Sequence, residues 1–367
     1  MRSISSKMSL DLILDKAHNY KILTNEEKLY ILELRNQDEL EKLFDSARKL
    51  RNVHFKNKVF LYGFLYISTY CRNNCSFCYY RSSNPNSPRY RKSESEVIDA
   101  AKTLADSGVH LIDLTMGEDP EIFNNKNHGF EPLIRLVKKI SKKTALPVMI
   151  SPGVVSSNTL KDFAAAGASW YACYQETYNP GLFKDLRPGQ NYRKRLESKK
   201  LAHQFGLLTE EGILVGIGET SGDIASSLEK MRLLNFDQVR AMNFVPQKGT
   251  PMDNYPSPDP LRELLVIALL RHVFPDRLIP ATLDVEGLGG LKKRLDAGAN
   301  VVTSIVPPDQ GLAGVAQSSL DINEARRTIE QISPILASCS LQSADTEEFR
   351  AWIEKRRNLL NPSPGHG

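Results

Sequence analysis

The sequence contains few cysteines and no long apolar run. Five cysteines in 367 residues are too few for a disulfide framework, and this usage is typical of a protein kept in a reducing compartment. The most apolar stretch, residues 59–69, is too short to span a bilayer as a helix. The N-terminus lacks an apolar segment followed by a small-residue cleavage site. Together these absences predict a cytoplasmic protein.

The chain also lacks a strong excess of one charge. Its 48 lysines and arginines against 43 acidic residues give a net charge of only +5, spread along the chain. Nucleic-acid-binding proteins usually concentrate basic residues in a stripe with aromatic residues between them, and no such stripe is found here. We therefore expect a small-molecule partner and neither a nucleic acid nor a membrane. A monomer is expected.

Short apolar runs alternate with amphipathic stretches from residue 59 onward. Continuous apolar runs are typical of strands buried on both faces of a parallel sheet, and apolar positions three and four apart predict helices. Eight such runs, each followed by a helical stretch, predict a (βα)8 TIM-type barrel, which a helix near 321–338 would close. A doubly wound open sheet is the alternative, but no run resembles an edge strand. The runs are residues 59–69, 109–115, 147–151, 168–174, 212–218, 238–245, 278–284 and 299–305.

Residues 9–55 differ from the barrel region because their apolar spacing predicts helices alone. We therefore divide the chain into an N-terminal helical extension (1–56), the barrel (57–340), and a C-terminal helix with its tail (341–367). The extension shows no pattern that predicts a core of its own.

Three of the five cysteines, Cys71, Cys75 and Cys78, lie within eight residues, directly after the first predicted strand. Electron-transfer iron–sulfur clusters normally use four cysteines, so three would leave one iron open to a small chelating molecule. A zinc site is one alternative, but it needs a fourth ligand, and neither His54 nor His110 has a zinc-knuckle spacing. Accidental clustering is another, although three reactive thiols in one loop have no evident packing use.

The cysteine loop, Cys-x3-Cys-x2-Cys with the aromatic Phe77 before its third cysteine, resembles the radical S-adenosyl-L-methionine (SAM) superfamily. The resemblance extends over nearly the whole predicted barrel. It implies a 4Fe-4S cluster on Cys71, Cys75 and Cys78, SAM bound to the open iron, and an external one-electron donor. Neighbouring hydrogenase maturases typically have glycine after the third cysteine, where this chain has Tyr79.

Further motifs of the superfamily follow the later strands. Residues 116–118 (Met-Gly-Glu) resemble its Gly-Gly-Glu motif for the SAM amino group, and Arg195 resembles the arginine for the SAM carboxylate. A solvated surface arginine is the alternative for Arg195 and for Arg187. Residues 212–219 resemble the segment whose backbone approaches adenine; a dinucleotide fingerprint fits less well, because its third glycine stands one position late. The residues that the resemblance implies for SAM binding are Phe77, Tyr79, Gly117, Glu118, Glu176, Arg187, Arg195 and Gly216.

Three charged residues stand in or next to predicted barrel strands: Asp113, Arg240 and Asp284. A charge inside a barrel is costly unless it is paired or points at a ligand. One arginine and two aspartates facing one cavity would match an amino acid with a carboxylate and two ammonium groups. An internal Arg–Asp ion pair that braces the barrel is the alternative. Hydroxyl side chains complete the expected substrate site: Ser151, Thr282, Thr303 and Ser304.

Stretches at the strand ends, among them residues 68–80, 111–120 and 239–251, resemble the branch of the superfamily that isomerises L-lysine to (3R)-3-methyl-D-ornithine in pyrrolysine biosynthesis. The resemblance implies that a 5′-deoxyadenosyl radical removes a side-chain hydrogen, and that the lysine radical fragments and recombines at another carbon. The alternative is a radical SAM enzyme of the hydrogenase-maturase or biotin-synthase group that acts on a different small molecule. Biotin synthases need further cysteines for a second cluster, and only Cys173 and Cys339 remain here.

Overall fold

The computed structural model describes residues 8–125, 128–307 and 326–360. Eight parallel strands form a barrel in sequence order, and β8 pairs with β1. The junction between β6 and β7 consists of a bridge between Gln238 and Leu278. This arrangement confirms the predicted (βα)8 barrel rather than the open sheet. The strands are β1 (Lys58–Ser68), β2 (Leu111–Met116), β3 (Val148–Ser151), β4 (Ala168–Ala172), β5 (Leu208–Val215), β6 (Gln238–Asn243), β7 (Pro280–Thr282), β8 (Val301–Ile305) and β9 (Gln342–Ser343), which pairs with the start of β1.

Helices connect the strands and flank the barrel. Many of them begin where a side-chain oxygen accepts a hydrogen bond from a free backbone N–H of the first turn. Thr24, Ser93 and Thr220 form capping boxes, in which the carboxylate three positions later accepts a hydrogen bond from the backbone N–H of the capping residue. These caps determine where the helices begin. The described helices are α1 (Leu10–His18), α2 (Asn25–Leu32), α3 (Gln37–Phe55), α4 (Glu94–Asp106), α5 (Pro120–Phe123), α6 (Glu131–Thr144), α7 (Ser157–Ala165), α8 (Pro180–Leu186), α9 (Tyr192–Gln204), α10 (Ser221–Leu233), α11 (Pro260–Val273), α12 (Gly287–Asp296), α13 (Ile329–Ser338) and α14 (Thr346–Leu360).

Helices α1 to α3 pack on the outside of the barrel. Leu10, Ile31 and Leu43, one from each helix, belong to the same hydrophobic cluster as Val266 of α11 and Leu295 of α12. Burying these side chains removes apolar surface from water and thereby stabilises the docked helices. The described part of the extension therefore contributes to the core of the barrel.

Helix α14 covers the amino ends of the barrel strands. Its Phe349 packs against Phe60 of β1, with ring centres 4.8 Å apart. Its Trp352 stacks on Trp170 of β4, with ring centres 5.9 Å apart and nearly parallel planes. The helix that the sequence predicts near the C-terminus therefore closes the amino end of the barrel. The predicted tail, residues 361–367, lies outside the described residues.

The run predicted at 212–218 differs clearly from the observed strand. Strand β5 begins earlier and includes Glu210 and Glu211, both fully buried. It ends at Val215, because the chain turns at Gly216, where φ is +88°. Two adjacent glutamates do not resemble a buried strand, but each one is paired with a cation on a neighbouring element. The barrel wall thus carries two carboxylates that the apolar pattern did not predict.

The helix predicted near 321–338 is described in part. Residues 321–325 lie outside the described residues, and α13 begins at Ile329. Within the described ranges, we find no helix that is both long and apolar enough to cross a membrane.

Candidate active site

The cysteine loop follows the carboxyl end of β1 and contacts the end of α8. The backbone N–H of Ser76 donates a hydrogen bond to the Leu186 carbonyl at 2.8 Å. Desolvation raises the pKa of Cys78 well above the ordinary value of a thiol, and the neighbouring Cys75 and Cys71 raise it further. The three thiols are therefore close enough to influence one another's charge.

Two N–H donors point at the sulfur of Cys75. Gln190 Nε2 lies 3.0 Å from the Sγ atom, and Arg187 Nη1 lies 3.4 Å from it. Hydrogen bonds to the sulfur atoms are a normal feature of iron–sulfur sites. Among the described residues, no three histidine, cysteine or acidic side chains converge on a point that could hold a single metal ion. The arrangement fits cysteines that each bind a different iron of a cluster, and it fits one tetrahedral zinc ion poorly.

A glycine after β2 makes room for the cysteine loop. A Cβ atom at Gly117 would lie 2.3 Å from the Tyr70 carbonyl oxygen and 2.8 Å from Cβ of Cys71. Both distances are shorter than non-bonded atoms tolerate, so a side chain here would displace the loop. Gly117 therefore allows the two loops to lie against each other, although Met116 replaces the first glycine of the motif.

Glu118 and Arg195 line a cleft beside the cysteine loop, together with Gln190. The Glu118 carboxylate accepts hydrogen bonds from Arg72 Nε at 2.9 Å and from the Val154 N–H at 3.2 Å. Arg195 Nη1 lies 4.0 Å from this carboxylate. Because Arg195 is only 6% exposed, it is not a solvated surface arginine. The cleft thus places opposite charges near the cysteines, as the amino and carboxylate groups of an amino acid require.

Arg187 pairs with Glu176 after β4 instead of facing solvent. Its Nη2 atom lies 2.5 Å from Glu176 Oε1, and both side chains are 8% exposed. Burial raises the pKa of Glu176 despite the nearby guanidinium. The guanidinium also lies 5.2 Å from the ring centre of Phe77, so it connects the cysteine loop to the barrel. Tyr79 points elsewhere, since its hydroxyl donates to the Asn86 carbonyl at 2.7 Å.

An apolar cluster lies between the cysteine loop and the end of β5, and Phe77 packs against it. The chain turns at Gly216, where a Cβ atom would lie 2.3 Å from Pro258. The Glu219 carboxylate accepts the Gly216 N–H at 3.0 Å and fixes this turn. An apolar wall next to closely approaching backbone suits a flat heteroaromatic ring. The buried members of the cluster are Leu186, Leu214, Ile217, Phe244 and Met252.

A cavity at the carboxyl ends of the strands brings the three predicted interior charges together. Asp113, Arg240 and Asp284 all line it. Phe77 and Cys78 of the cysteine loop line the same cavity. Active sites of (βα)8 enzymes lie at this end of the barrel. The charged positions are therefore adjacent to a cysteine in one enclosed space.

Arg240 pairs with an acid that sequence reasoning missed. Its Nε donates to Glu210 Oε1 at 2.8 Å, so the partner of this arginine is a glutamate on β5 and not an aspartate. The strand register places Arg240 opposite Gly212, and Glu210, two residues earlier, is on the same face of the strand. A buried arginine needs an acid in reach, and the glutamates preceding Gly212 were the available signal.

Asp284 accepts hydrogen bonds from three side chains. Thr282 Oγ1 lies 3.1 Å and Ser304 Oγ 2.7 Å from its Oδ2 atom. Arg327 Nη1 lies 3.2 Å from the other oxygen, Oδ1. Arg327 follows the last barrel strand by many residues, so no strand pattern indicated it. Two of the predicted hydroxyls thus hold Asp284, whereas Thr303 Oγ1 is buried and has no hydrogen-bond partner within the described part of the chain.

Among the described residues, Asp113 is the cavity carboxylate that accepts no hydrogen bond from an arginine, unlike Glu176 and Asp284. Its Oδ1 accepts one hydrogen bond from Thr115 Oγ1, at 3.0 Å. Burial, followed by the negative charge of Glu210, raises the pKa of Asp113 to about 7, against the lowering effect of Arg240. A cationic ligand would therefore favour the ionised form of this carboxyl.

Asn243 is another cavity residue that sequence reasoning missed. It lines the cavity together with the predicted Ser151. Its Oδ1 atom is buried and has no hydrogen-bond partner among the described residues. Leaving a buried amide oxygen unpaired costs free energy, so its position favours a cavity built for a polar ligand.

Comparisons with known proteins agree with this geometry. The sequence profile of the radical SAM superfamily matches residues 65–231. The 3-methylornithine synthase of Methanosarcina acetivorans is 42% identical over 331 residues, which are 90% of this chain and 93% of that protein. The 3-methylornithine synthase of Methanosarcina barkeri is 41% identical over 350 residues, 95% of this chain and 99% of that protein.

Similarity to a solved structure extends this agreement to the fold. The crystal structure of a methylornithine synthase (PylB) superposes with a TM-score of 0.88 at 41% sequence identity, covering 93% of this chain and 99% of that one. Identity at this level, over nearly the full length of each relative, establishes the family. The chain belongs to the radical SAM superfamily and, within it, to the family of the 3-methylornithine synthases.

Proposed function

We propose that the chain isomerises L-lysine to (3R)-3-methyl-D-ornithine. The observation that carries the proposal is the cavity beside Cys78, where Arg240, Asp113 and Asp284 face the same space. These charges complement a diamino acid, which has one carboxylate and two ammonium groups. Two 3-methylornithine synthases that are 42% and 41% identical over most of the chain support the assignment.

The cofactors of this superfamily are a 4Fe-4S cluster and SAM, and an external donor supplies one electron. Cys71, Cys75 and Cys78 would hold the cluster. When bound, the two cofactors supply radical chemistry that begins by removing a hydrogen atom from the substrate side chain. The residues proposed to bind SAM are Phe77, Gly117, Glu118, Glu176, Arg187, Arg195 and Gly216. Tyr79 is proposed with them, and its hydroxyl donates to the Asn86 carbonyl.

Arg240 would bind the substrate carboxylate. Its Nε is occupied by Glu210, so its Nη groups remain for two parallel hydrogen bonds to a carboxylate. Asp113 and Asp284 would bind the ammonium groups, and Ser151 would add a hydroxyl. Charges at both ends would hold the substrate while its carbon chain is rearranged, which keeps the reacting parts in place.

Apolar side chains would keep water out of the reacting part of the cavity. Phe77 of the cysteine loop, Leu214 and Met242 line the same cavity as the charged residues. A dry enclosure strengthens the ionic contacts inside it and protects reactive species from side reactions. A cavity lined by both apolar and charged side chains fits a substrate that has a carbon chain and charged groups.

The decisive experiment is anaerobic reconstitution with iron and sulfide, followed by SAM, a reductant and isotopically labelled L-lysine. We expect labelled 3-methylornithine, identified by mass spectrometry. Cleavage of SAM without this product would contradict the lysine assignment and favour a radical SAM reaction on another small molecule. A colourless protein with one zinc ion per chain would contradict the cluster.

Replacing Arg240, the proposed partner of the substrate carboxylate, should abolish most turnover. We expect Arg240→Ala to lower kcat/KM for lysine on the order of a thousandfold, because losing one side of an enclosed charge pair costs several kcal/mol. Steady-state product formation measures the loss, and the absorbance change of the cluster on adding SAM should persist. Arg193→Ala, at an exposed position of α9, is the control. Near-normal turnover by Arg240→Ala would remove this residue from the site.

We further propose that the chain acts as a monomer in the cytoplasm, with lysine and an electron donor as its partners. The modest net charge and the absence of a nucleic-acid-binding stripe in the sequence support the small-molecule partner. Light scattering coupled to size-exclusion chromatography would test the monomeric state, and a stable dimer would contradict it.

A further inference from the structure

We infer that Glu210 is a positioning residue: it holds the Arg240 guanidinium in place and keeps Arg240 from pairing with Asp113. The inference rests on the proposed function, because Arg240 is there assigned to the carboxylate of lysine and Asp113 to one of its ammonium groups. Glu210 lies on β5 and does not line the cavity itself. It therefore acts on the substrate indirectly, through its contact with Arg240 and through the effect of its charge on Asp113.

The contacts of Arg240 leave a defined part of its side chain for a ligand. Nε donates to Glu210 Oε1 at 2.8 Å, and the guanidinium carbon lies 5.4 Å from the ring centre of Tyr174. Glu210 is fully buried, and Arg240 is only 6% exposed. With Nε bound and one side near the ring, the Nη groups remain available in the cavity.

Arg240 would behave differently without this partner. It would become an unpaired cation in a cavity lined by three carboxylates, Asp113, Asp284 and Glu176, and an unpaired buried charge is costly. Glu176 is already paired with Arg187. Asp284 already accepts a hydrogen bond from Arg327, whereas the donor that Asp113 has is the Thr115 hydroxyl. Asp113 is therefore the acid that Arg240 would approach. That movement would occupy Arg240, the partner of the substrate carboxylate. It would also occupy Asp113, the partner of one ammonium group.

The charge of the site supports the same role. Among the described residues, Glu210, Asp113, Asp284 and Glu176 provide four negative charges when ionised, and their partners Arg240, Arg327 and Arg187 provide three positive ones. The ionised site therefore has a net charge of one negative unit. Lysine with both amines protonated carries one net positive charge. Removing the charge of Glu210 would leave a neutral site that no longer complements this substrate.

The test compares Glu210→Gln with Glu263→Gln in the reconstituted holoenzyme. Glutamine keeps the size of the side chain and an oxygen that can accept from Nε, but it removes the charge. Glu263 is the matched control, because it forms a buried pair with Arg294 at 2.7 Å and does not line the cavity. Thermal denaturation first establishes that both variants fold.

The expected result is a change in binding with little change in chemistry. Glu210→Gln should raise KM for lysine about tenfold or more while kcat stays within about twofold, which is the signature of lost uniform binding. Glu263→Gln should leave both constants within about twofold of the wild-type values. The absorbance change of the cluster on adding SAM should be the same in both variants.

A pH profile distinguishes positioning from a purely structural role. Removing the negative charge of Glu210 should let Asp113 ionise at lower pH, since that charge opposes its ionisation. The pH below which KM for lysine rises should therefore move down in Glu210→Gln and stay unchanged in Glu263→Gln. The other titratable or charged groups that interact with Asp113 are Tyr62, Tyr174, Arg240 and Asp284.

Two outcomes would overturn the inference. One is a KM for lysine in Glu210→Gln within about twofold of the wild-type value. If Glu210→Gln does not fold, Glu210→Asp is measured in its place. Aspartate keeps the charge but withdraws the carboxylate by one methylene. An unchanged KM for lysine in Glu210→Asp counts equally against the inference. If the wild-type chain converts no lysine, the proposed function fails instead. A crystal structure of the Glu210 variant with an unmoved Arg240 is then the second overturning outcome.

Discussion

The ionisation of Asp113 should be visible in the pH dependence of the reaction. In the free protein its pKa lies at about 7, raised by burial and by Glu210, and only the ionised form attracts an ammonium group. As pH falls through 7 the carboxylate takes up a proton, so we expect kcat/KM for lysine to decrease on the acidic side. The pH profile of kcat/KM measures the free enzyme and is the appropriate test.

Asp113→Asn provides the control for this profile. The amide cannot ionise, so the decrease near pH 7 should disappear while kcat/KM remains low at every pH. The pKa of about 7 places the expected decrease between roughly pH 6 and 8. A constant kcat/KM of the wild-type chain over this range would contradict the role of Asp113.

Single residues also show how far the sequence could predict the site. A charge in a barrel strand is costly unless it is paired or faces a ligand, so the sequence predicted that Asp113, Arg240 and Asp284 face a cavity. The structure places all three in one cavity. Their partners were missed for two different reasons. Glu210 stands before the apolar run of its strand, and Arg327 is separated from Asp284 by a long stretch of chain. Pairing between distant segments leaves no local signal.

The contact between the cysteine loop and the loop after β2 gives a prediction at the scale of elements. We expect Gly117→Ala to reduce the iron and sulfide content after reconstitution severalfold, because the new Cβ would lie 2.3 Å from the Tyr70 carbonyl oxygen. Chemical iron analysis measures the effect. Gly289→Ala is the control, since nothing lies within 4 Å of its added Cβ. Full iron loading of Gly117→Ala would show that the loops can separate without cost.

Elements were predicted from the sequence to different degrees. The eight strands were recognisable because strands buried on both faces form continuous apolar runs. Strand β5 was misplaced at its start because paired glutamates imitate a solvated segment. The place of α14 could not be predicted, since the pattern of an amphipathic helix shows that it buries a face but not which surface covers that face.

At the scale of the whole molecule, the barrel is stabilised at the end opposite to the cavity. We expect Trp352→Ala to lower the free energy of unfolding by roughly 3 kcal/mol, because it removes a large ring stacked on the fully buried Trp170. Urea denaturation followed by circular dichroism measures this loss. Leu359→Ala on the same helix is the control, since Leu359 is 60% exposed and should change stability by less than about 0.5 kcal/mol. Equal stabilities of the two variants would mean that α14 contributes little to the barrel.

The position of α14 also has a consequence for the order of events during synthesis. All eight barrel strands leave the ribosome before residues 346–360, so Phe60 and Trp170 remain uncovered until translation of this helix is complete. The cysteine loop, by contrast, is synthesised early. A nascent chain therefore presents its thiols to the cell while its hydrophobic interior is still open to water and to other chains. Because α14 closes the end of the barrel opposite to the cysteine loop, its late synthesis covers the hydrophobic interior without closing off the thiols, and iron and sulfide can reach them after release of the chain.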